Sequence, residues 1–528
     1  GMPGPGGPGG GGGRGPGLNL QGSEGRRNGL ASAMGVEFNY VHADFEFDGK
    51  IFKDAAVRYK GNGTWMQSRG SDKRSMKVDL NEYVKGQKLN GISKLNFHNC
   101  VTDSSWMNEV LSHALFRDAG VPAPRTAYAR VSITVPGKLE RKYTGLYSMV
   151  ENLDDNFADR HFGTKKGAIL KPVTPAPFTD MGDDWKNYNQ TYDPKTDLKP
   201  EQKQRVIDFC KLVSHADDAT FAAKVGDFVE LDQFARFMAV TVWLSTLDSI
   251  LSVGQNYYVY LHPQTQKFQF MPWDLDHSFG QFFLMGNQEQ RDNLSIHRPW
   301  RGENRFLDRV FKVDAFKQLY LARLAEFSET IFQPERFEKQ VDAIAAAIRD
   351  AVKDESEEKL ARFDKVAAGE AVPPAGFGGG FGGPRPGGGD AGAPSRGPAP
   401  GFFSPAKPIK AFVKVRAQSV RDQLAGKSKG ESIPEFGFGQ RGPGGRGGDF
   451  GPGNFLGGPL MTSLDGNKDS ELTRAEVVDG FKRWFHSWNT DKSGTLTEEQ
   501  LRAGITQELT PFRGGPGGGN PAGGPPPR

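Results

Sequence analysis

Glycine and proline are concentrated in four tracts, and these tracts limit how much of the 528-residue chain can fold. The chain holds 69 Gly and 35 Pro, and they dominate residues 1–34, 373–403, 429–459 and 511–528. Segments of this composition carry too few large apolar side chains to offset the conformational entropy lost on folding. We therefore expect these four tracts to be disordered. Folded structure is expected in residues 35–428, with the second tract as an insertion, and in residues 460–510.

The hydrophobic pattern divides residues 35–428 into a strand-rich first part and a helical second part. Alternation of apolar and polar residues predicts strands at 36–41, 56–59, 75–80, 128–135 and 145–150. Helical spacing predicts helices at 105–118, 231–242, 314–332, 334–363 and 411–424. The last helix lies beyond the Gly/Pro tract at 373–403, so this tract interrupts one α+β domain and does not end it.

Charge and cysteine content exclude several classes of protein. The 67 basic and 63 acidic residues leave a net charge of +4, which is too even for a nucleic-acid-binding chain. Cys100 and Cys210 allow one disulfide, but two cysteines exclude a disulfide-built scaffold and a thiolate zinc site. No apolar run approaches the roughly 20 residues of a membrane-spanning helix. No signal segment is visible, and Gly1 before Met2 is typical of a cleaved tag, so we expect a signal peptide to have been removed.

Four side chains with oxygen ligands lie around a predicted β-hairpin. Two short aromatic and β-branched runs flank a polar segment that should turn near residue 265. A turn centred there places Asn256 opposite Asp274 at the open end of the hairpin, close to Asp248. Asp276 follows two residues after Asp274. Oxygen ligands gathered in this way suit Mg²⁺ or Mn²⁺ and the phosphates that accompany these ions.

Together these residues match the needs of phosphoryl transfer. That reaction needs a carboxylate that accepts the proton of the attacking hydroxyl, and oxygen ligands that hold the metal ions. Asp248 is the candidate base, and Asp274 and Asn256 are candidate metal ligands. Asp276 is either a residue that contacts the metal or its ligands, or a turn residue. Each acid taken alone would fit a helix end or a turn, so the assignment depends on the whole group.

The ordered motifs around these residues resemble those of the CotH family, the spore-coat-type atypical protein kinases. The central motif consists of Asp248, Asn256-Tyr257-Tyr258, Pro272-Trp273-Asp274-Leu275-Asp276 and Phe279-Gly280. Similar segments lie upstream at 57–64, 73–78, 145–151 and 167–171. A similar closing helix at 412–424 contains Arg416 and Arg421. The resemblance covers residues 36–425.

The resemblance implies a two-lobed protein-kinase-like fold and ATP-dependent phosphorylation of Ser or Thr on a protein partner. Asp248 would correspond to the acid of the catalytic loop and Asp274 to the metal-binding acid. Ordinary protein kinases place the metal-binding Asn five residues after the catalytic Asp. Here Asn256 follows Asp248 by eight residues, and Thr246-Leu247 replaces the usual His-Arg. The implied cofactors are ATP and Mg²⁺ or Mn²⁺.

Other residues within the resemblance are candidates for nucleotide binding. The Gly61-Asn62-Gly63 loop between two predicted strands would cover phosphates through its backbone N–H groups. The cation that contacts the phosphates is left open among Arg58, Lys60, Lys73 and Lys77. Glu151 and Lys171 either form an ion pair or contact the nucleotide.

A second motif, near the C-terminus, predicts calcium binding. Residues 465–476 fit the 12-residue EF-hand loop, and residues 489–500 repeat the pattern. The predicted Ca²⁺ ligands are Asp465, Asn467, Asp469, Glu471 and Glu476 in the first loop, and Asn489, Asp491, Ser493 and Thr495 in the second. The second loop has Asn at its first position and Gln500 at its last, so it should bind Ca²⁺ more weakly. A polar helical hairpin without metal is the alternative for both loops.

We therefore interpret the chain as an α+β, kinase-like domain joined by the 429–459 linker to a small all-α EF-hand pair. Two other functions are left open for the larger domain. One is a kinase-like fold without catalysis that acts as a surface scaffold. The other is a metal-dependent glycosyltransferase with Asp274-Leu275-Asp276 as its Asp-x-Asp motif. Calcium modules and the usual context of the family lead us to expect an extracytoplasmic location.

Overall fold

The computed structural model describes residues 37–372, 407–434 and 460–505, apart from 62, 69, 283, 284, 461, 462, 468–471, 498, 499, 502 and 503. The chain divides into two compact units, a larger one within residues 1–435 and a smaller one within residues 436–528. Most of the Gly/Pro sequence lies outside the described residues.

A six-stranded antiparallel sheet forms the first part of the larger unit. Its strands are β1 (Val41–Phe47), β2 (Lys50–Tyr59), β3 (Met76–Asp79), β4 (Lys94–His98), β5 (Thr126–Val135) and β6 (Leu139–Glu151). They lie side by side in the order β1-β2-β3-β4-β6-β5. Two helices occur along this part of the chain, α1 (Gly63–Gln67) after β2 and α2 (Asn108–Asp118) after β4.

Two details of this sheet differ from the sequence prediction. The first strand is Val41–Phe47 and not 36–41, because the Asp48-Gly49 turn, with left-handed backbone at both residues, sets the pairing of β1 with β2. Strand β4 has no counterpart in the prediction. Its apolar pattern is interrupted by Asn96 and His98, which are buried all the same.

The rest of the larger unit is mainly helical. Its helices are α3 (Asp155–Phe162), α4 (Lys186–Tyr192), α5 (Pro200–His215), α6 (Asp218–Phe228), α7 (Leu231–Trp243), α8 (Gln288–Asp292), α9 (Arg305–Val310), α10 (Asp314–Glu329), α11 (Pro334–Lys353), α12 (Glu357–Ala368) and α13 (Ile409–Leu424). A second antiparallel sheet lies among them, in the order β7 (Ala168–Leu170), β8 (Tyr257–Leu261) and β9 (Phe268–Pro272). Within the described ranges, no helix has the length and apolar character needed to cross a bilayer.

The helix predicted over 334–363 is in fact two helices. Helix α11 ends at Lys353 and α12 begins at Glu357, because Ser356 caps α12 by accepting a hydrogen bond from Lys359 N at 3.1 Å. The break places Glu355 in the connection between the helices. Its carboxylate accepts from Leu146 N of β6 at 2.6 Å and from Lys359 Nζ of α12 at 2.7 Å, and so joins the helix to the sheet.

The β8–β9 hairpin has the predicted strands, but its register is shifted by one residue. Leu261 pairs with Phe268, so the six residues between them place the centre of the turn between two residues and not on one. Trp273 N donates to Asn256 O at 3.1 Å. Asn256 therefore lies opposite Trp273, and the prediction that it lies opposite Asp274 is wrong.

The main apolar core lies in the helical part and extends to the end of the larger unit. Helix α7 buries the apolar stripe that the pattern predicts, and α13 contributes Phe412 and Val413 to the same core. Residues 429–434, assigned to the linker in the sequence prediction, lie against this part. Glu431 O accepts from Ser295 N at 2.8 Å, and Ile433 is buried.

Cys100 and Cys210 are free thiols, so they do not form the disulfide that the sequence allows. Cys100 Sγ lies 3.2 Å from Ser148 Oγ, and Cys210 Sγ lies 3.5 Å from the Tyr192 hydroxyl. Burial raises the pKa of both thiols to about 12. Neither is a reactive thiolate at neutral pH.

The smaller unit is described around one helix, α14 (Arg474–Trp488). Thr473 caps this helix: its hydroxyl accepts from Glu476 N at 3.2 Å, and the Glu476 carboxylate accepts from Thr473 N at 2.9 Å. This reciprocal pair is a capping box. The buried apolar cluster of the unit consists of Leu464, Trp484 and Trp488.

Candidate functional site

The loop that carries Asp248 follows helix α7 and folds back on itself. Gln255 Nε2 donates to Asp248 Oδ1 at 2.8 Å, and Asn256 Nδ2 donates to the Asp248 carbonyl oxygen at 2.9 Å. The start of the loop is held by a hydrogen bond from Gly280 N to Leu244 O at 3.0 Å. The Asp248 carboxyl group is buried, and burial raises its pKa. The structure therefore presents Asp248 as an oriented carboxylate that is more basic than an exposed one.

Gly254 allows this loop to pack against the chain near Thr174. Its φ is +69°, and a Cβ atom at this position would lie 1.7 Å from Thr174 O.

We expect Gly254→Ala to destabilise the larger unit by about 3 kcal/mol, because the clash is with backbone and the new residue would be held in a left-handed conformation. Urea unfolding measures this loss. Gly137→Ala is the matched control, since Gly137 has φ +75° and nothing within 4 Å. It should cost about 1 kcal/mol, and equal losses would contradict the close packing at Gly254.

Asp274 and Asn256 both have left-handed backbone at the open end of the hairpin. Their φ angles are 52° and 61°, a conformation that costs about 1 kcal/mol or more in non-glycine residues and is found preferentially at functional sites. The Asp274 side chain is 43% exposed. Its Oδ1 atom lies 3.9 Å from His98 Nδ1. Asp274 is therefore available to a ligand from outside the protein.

Asp276 is buried and bonded to residues near helix α2. Thr102 Oγ1 donates to its carboxylate, and Asn108 Nδ2 donates to its carbonyl oxygen at 2.7 Å. Burial raises the pKa of Asp276 to about 7; the charge of Asp274 acts in the same direction and that of His277 opposes it. Asp276 thus connects the end of the hairpin to α2, which a simple turn residue would not do.

One face of the six-stranded sheet gathers polar and basic side chains. Strand pairing places Arg58, Lys77 and Asn96 side by side on β2, β3 and β4. His98 lies two residues further along β4, and Lys60 follows the end of β2, where its backbone N–H donates to Ser75 O at 3.0 Å, so both lie on the same face. The Lys60 ammonium lies 2.7 Å from His98 Nε2 and 3.3 Å from Asn96 Oδ1. Burial lowers the pKa of Lys60 to about 8, although the charge of Asp274 opposes this.

The pKa of Lys77 is lowered further than that of Lys60 on the same face. Burial and the positive charges of Arg58, Lys60, Lys94 and Lys195 lower its pKa to about 7. Within the described chain, no hydrogen-bond acceptor or carboxylate contacts its ammonium group. A half-buried cation without a partner among the described residues is costly, and a bound anion would relieve that cost. The face is therefore suited to an anion such as a phosphate group.

Two other candidates bind protein groups. Lys73 Nζ donates to the buried Glu355 carboxylate at 2.6 Å, which joins the start of β3 to the α11–α12 connection. Glu151 accepts from Arg125 at 2.9 Å and also from Arg160. The carboxylate of Glu151 is therefore paired with arginines. Lys73 and Glu151 are thus both engaged by side chains of the protein itself.

Lys171 lies near two aromatic rings of the hairpin, and the predicted phosphate loop follows β2. The Lys171 ammonium lies 5.6 Å from the ring centroid of Tyr258 and 5.8 Å from that of Trp273, the residue before Asp274. In the Gly61-Asn62-Gly63 loop, Gly61 has φ +107° and Gly63 begins helix α1. Asn62 lies outside the described residues.

Sequence reasoning missed His98 and Glu109, which are central to the site. A cavity is lined by Lys60, His98, Asp103, Glu109, Asp274 and Asp276. His98 Nδ1 lies 2.7 and 2.8 Å from the two carboxylate oxygens of Glu109, the second residue of α2. The signal was present in β4, where Asn96 and His98 alternate with apolar residues along a buried strand. Polar side chains at every second position of such a strand indicate a functional face.

The first predicted calcium loop is partly described. Glu476 accepts hydrogen bonds from Gly466 N at 3.2 Å and from Asn467 N at 3.4 Å, so the last acid of the loop closes over its start, beside Asp465. Asp469 and Glu471, the other two predicted ligands of this loop, lie outside the described residues.

The second predicted calcium loop is held by its own polar side chains. Asn489 Oδ1 and Asp491 Oδ1 each accept from Ser493 N at 3.0 Å. Ser493 Oγ donates to Thr495 O at 2.9 Å. The four predicted ligands of this loop therefore lie close together within residues 489–495.

Comparison with known proteins identifies the family. Residues 57–369 match the family model described as CotH kinase protein. The chain is similar to the inner spore coat protein H of Bacillus subtilis (strain 168), with 23% identity over 319 residues, which is 59% of this chain and 82% of that protein. The matched region includes Asp248, Asp274 and the basic sheet face. The chain belongs to the CotH family.

Proposed function

We propose that the larger unit is an atypical protein kinase with a two-lobed, kinase-like arrangement. It transfers the γ-phosphoryl group of ATP to a Ser or Thr hydroxyl of a protein partner. One observation carries this proposal: Asp274 and Lys60 of the basic sheet face line the same cavity, and Asp274 lies near enough to Asp248 for its charge to add to the effect of burial on the pKa of the Asp248 carboxyl group. Negative groups that bind metal and positive groups that bind phosphate are the two needs of phosphoryl transfer.

The end of the hairpin fits a hard divalent cation. Asp274 offers a half-exposed carboxylate that accepts no hydrogen bond within the described chain. Asn256 lies across the hairpin from Trp273, the residue before Asp274, and Asp276 lies two residues after Asp274, so both offer further oxygen atoms near it. Carboxylate and amide oxygens are preferred ligands of Mg²⁺ and Mn²⁺. A bound Mg²⁺ or Mn²⁺ ion would neutralise part of the negative charge of the phosphate groups.

The basic sheet face fits the polyphosphate of a nucleotide. Lys77 has no hydrogen-bond or ionic partner among the residues that the structure describes, Arg58 and Lys60 lie beside it, and Gly61 begins the loop that follows β2. Phosphate oxygens would accept hydrogen bonds from these groups and would relieve the repulsion between like charges. Lys171, over the Trp273 ring, is the candidate cation on the side of the hairpin.

Asp248 accepts the proton of the attacking hydroxyl in this proposal. Its hydrogen bond from Gln255 orients the carboxylate, and its bond through the backbone to Asn256 fixes the loop. Burial makes the carboxylate more basic and so improves it as a proton acceptor. Positioning of this kind is the main contribution of a protein to phosphoryl transfer.

The test is transfer of label from [γ-³²P]ATP, with Mg²⁺ or Mn²⁺, to the chain itself and to a Ser/Thr-rich acceptor protein. We expect label on Ser or Thr that depends on the divalent cation. Nucleotide binding without transfer, or no binding at all, would instead support a scaffold. Tighter binding of a nucleotide sugar than of ATP would support a glycosyltransferase that uses Asp274 and Asp276.

The relative in Bacillus subtilis is, by its name, a protein of the inner spore coat. We infer from this likeness an extracytoplasmic or surface location for this chain. Its substrates would then be proteins of the same compartment.

We further propose that the smaller unit binds Ca²⁺. The first loop offers a carboxylate at both ends, Asp465 and Glu476, and the Glu476 side chain already closes toward the start of the loop. The second loop gathers the oxygen atoms of Asn489, Asp491 and Ser493. Oxygen donors at these intervals suit Ca²⁺, and the lower charge of the second loop should make it the weaker site.

Glu476→Gln is expected to weaken Ca²⁺ binding at the first loop by at least about 10-fold, because a neutral amide replaces the bidentate carboxylate. Gln preserves the capping box with Thr473, so helix α14 should remain folded. Calorimetric titration measures the affinity. Gln500→Glu is the matched opposite change and should strengthen the second site. Uptake that neither variant alters would contradict the calcium proposal.

A further inference from the structure

Lys60, His98 and Glu109 form a continuous line of contacts along one wall of the cavity. The Lys60 ammonium lies 2.7 Å from His98 Nε2. On the other side of the ring, His98 Nδ1 lies 2.7 Å from Glu109 Oε2 and 2.8 Å from Glu109 Oε1. His98 and Glu109 are buried. The three residues come from the end of β2, the end of β4 and the first turn of α2.

The chemistry of these groups fixes the proton on the ring. An ammonium group can only donate, so Nε2 of His98 must accept and carries no proton. Nδ1 then carries the proton and donates it to the carboxylate of Glu109. The imidazole is neutral, and each of its hydrogen bonds is strengthened by a charged partner.

The remaining contacts of Lys60 leave part of its ammonium group available. Asn96 Oδ1 lies 3.3 Å from the ammonium, and Asn96 Nδ2 donates to Val150 O at 3.3 Å, which orients the amide. Two of the three N–H groups of Lys60 are thus used within the described chain. The third has no protein acceptor there, and Lys60 lines the same cavity as Asp274.

We infer that His98 is a positioning residue of the kinase site: it bridges Lys60 to Glu109 and so holds the Lys60 ammonium in contact with a phosphate oxygen of the nucleotide. The inference rests on the proposed kinase function. It also selects among the candidate cations, because Lys73 is paired with Glu355. Helix α2 is linked to the nucleotide through a neutral imidazole and not through a direct lysine–glutamate pair.

The same residues could be considered for a metal ion, since ligand atoms of His98, Glu109 and Asp274 lie within 4.8 Å of one another. A metal on Nδ1 would displace the proton shared with Glu109. It would also leave Nε2 needing a proton of its own, where Lys60 donates. The contact with Lys60 therefore disfavours a metal at His98 and favours the bridge.

The first test is the tautomer of His98 in the nucleotide-free protein. Long-range ¹H–¹⁵N correlation spectra of the full chain with ¹⁵N-histidine separate the two ring nitrogens of its nine histidines. The signal that disappears in His98→Gln identifies this residue. We expect a protonated Nδ1 and an unprotonated Nε2. Protonation at both nitrogens, a proton on Nε2, or a shift of this signal on adding Zn²⁺ would overturn the bridge.

The second test separates the two halves of the bridge. The side-chain amide of Asn reaches only as far as Nδ1, so His98→Asn loses the acceptor for Lys60. It should lower kcat/KM for ATP by about 10- to 100-fold, the effect of losing a hydrogen bond to a charged group. The amide of Gln reaches the position of Nε2, so His98→Gln keeps the acceptor for Lys60 but loses the donor to Glu109, and it should recover only part of the loss in kcat/KM.

His113→Gln is the matched control. His113 is as buried as His98 and lies 3.7 Å from Glu109, but it has no contact with Lys60. Its kcat/KM should stay within about twofold of wild type. A loss equal to that of His98→Asn would mean that any buried histidine beside Glu109 matters, and would overturn the inference.

The outcomes distinguish this inference from the proposed function. If the wild-type chain transfers phosphate and His98→Asn does so equally well, the bridge is wrong and the kinase function stands. If the wild-type chain neither binds ATP nor transfers phosphate, the kinase function fails, and so does the role of the bridge in it. In that case the tautomer of His98 would show only whether the ring contacts Lys60 and Glu109 as the structure has it.

Discussion

Asp248→Asn is expected to lower kcat for phosphoryl transfer by about 10²- to 10⁴-fold, the usual contribution of a general base. The Asn amide cannot accept the proton of the substrate hydroxyl. Its Oδ1 atom can still accept the hydrogen bond from Gln255, so the loop should keep its shape. The dissociation constant for ATP should change little, since Asp248 is assigned to the hydroxyl and not to the phosphates. Single-turnover kinetics and calorimetry measure the two quantities.

Asp292→Asn is the control for this variant. Asp292 is also buried and also accepts from a glutamine side chain, Gln288 Nε2, at 2.7 Å, but its second oxygen pairs with Lys407. It lies outside the cavity that contains Asp274. Its substitution should leave kcat within about threefold of wild type. A wild-type kcat in Asp248→Asn would remove Asp248 from the reaction.

Arg416→Met is expected to have the largest effect on stability, a loss of about 3 to 5 kcal/mol. The Arg416 guanidinium is completely buried and donates to Val242 O at 2.9 Å, Trp243 O at 3.1 Å and Leu294 O at 2.7 Å. The first two carbonyl groups end helix α7 and have no partner within the helix. Met would fill the volume but remove all three charge-assisted hydrogen bonds. Val242 O would keep its bond from Ser245 N at 3.0 Å and Leu294 O its bond from Gln423 Nε2 at 3.3 Å, whereas Trp243 O would be left buried without a donor among the described residues. Urea unfolding, followed by circular dichroism, measures the loss.

Arg421→Met is the matched control on the same helix. Arg421 is half-buried, and its guanidinium contacts Gln333 Oε1 at 3.3 Å. Its loss should cost less than about 1 kcal/mol. Similar losses for the two variants would show that α13 stabilises the unit through general packing and not through its cap on α7.

The sequence predicted the parts of the site that lie close together along the chain. Asp248 and Asp274 are separated by one hairpin, so periodicity and turn signals were sufficient to bring them together. The error of one residue in the hairpin register arose because the length of a loop cannot be read from its composition. Helix α11 was predicted too long because Ser356 forms a cap that competes with helix continuation.

The basic sheet face of the site could not be predicted in the same way. Lys60 and His98 are 38 residues apart and meet only through the pairing of β2, β3 and β4. Lys73 resembles Lys60 and Lys77 in the sequence, and only its pairing with Glu355, 282 residues later, distinguishes it from them. Partners at such separations are chosen by tertiary packing, which local patterns do not specify.

The cap on helix α7 has a consequence for synthesis. Arg416 bonds to Trp243 across 173 residues of chain, and the Gly/Pro insertion lies between them. During translation, both acidic residues of the site emerge from the ribosome long before α13 does. The last carbonyl group of the helix that leads to Asp248, Trp243 O, thus lacks its Arg416 donor until almost the whole larger unit has been made. The order of synthesis therefore places the completion of this helix end after the docking of α13.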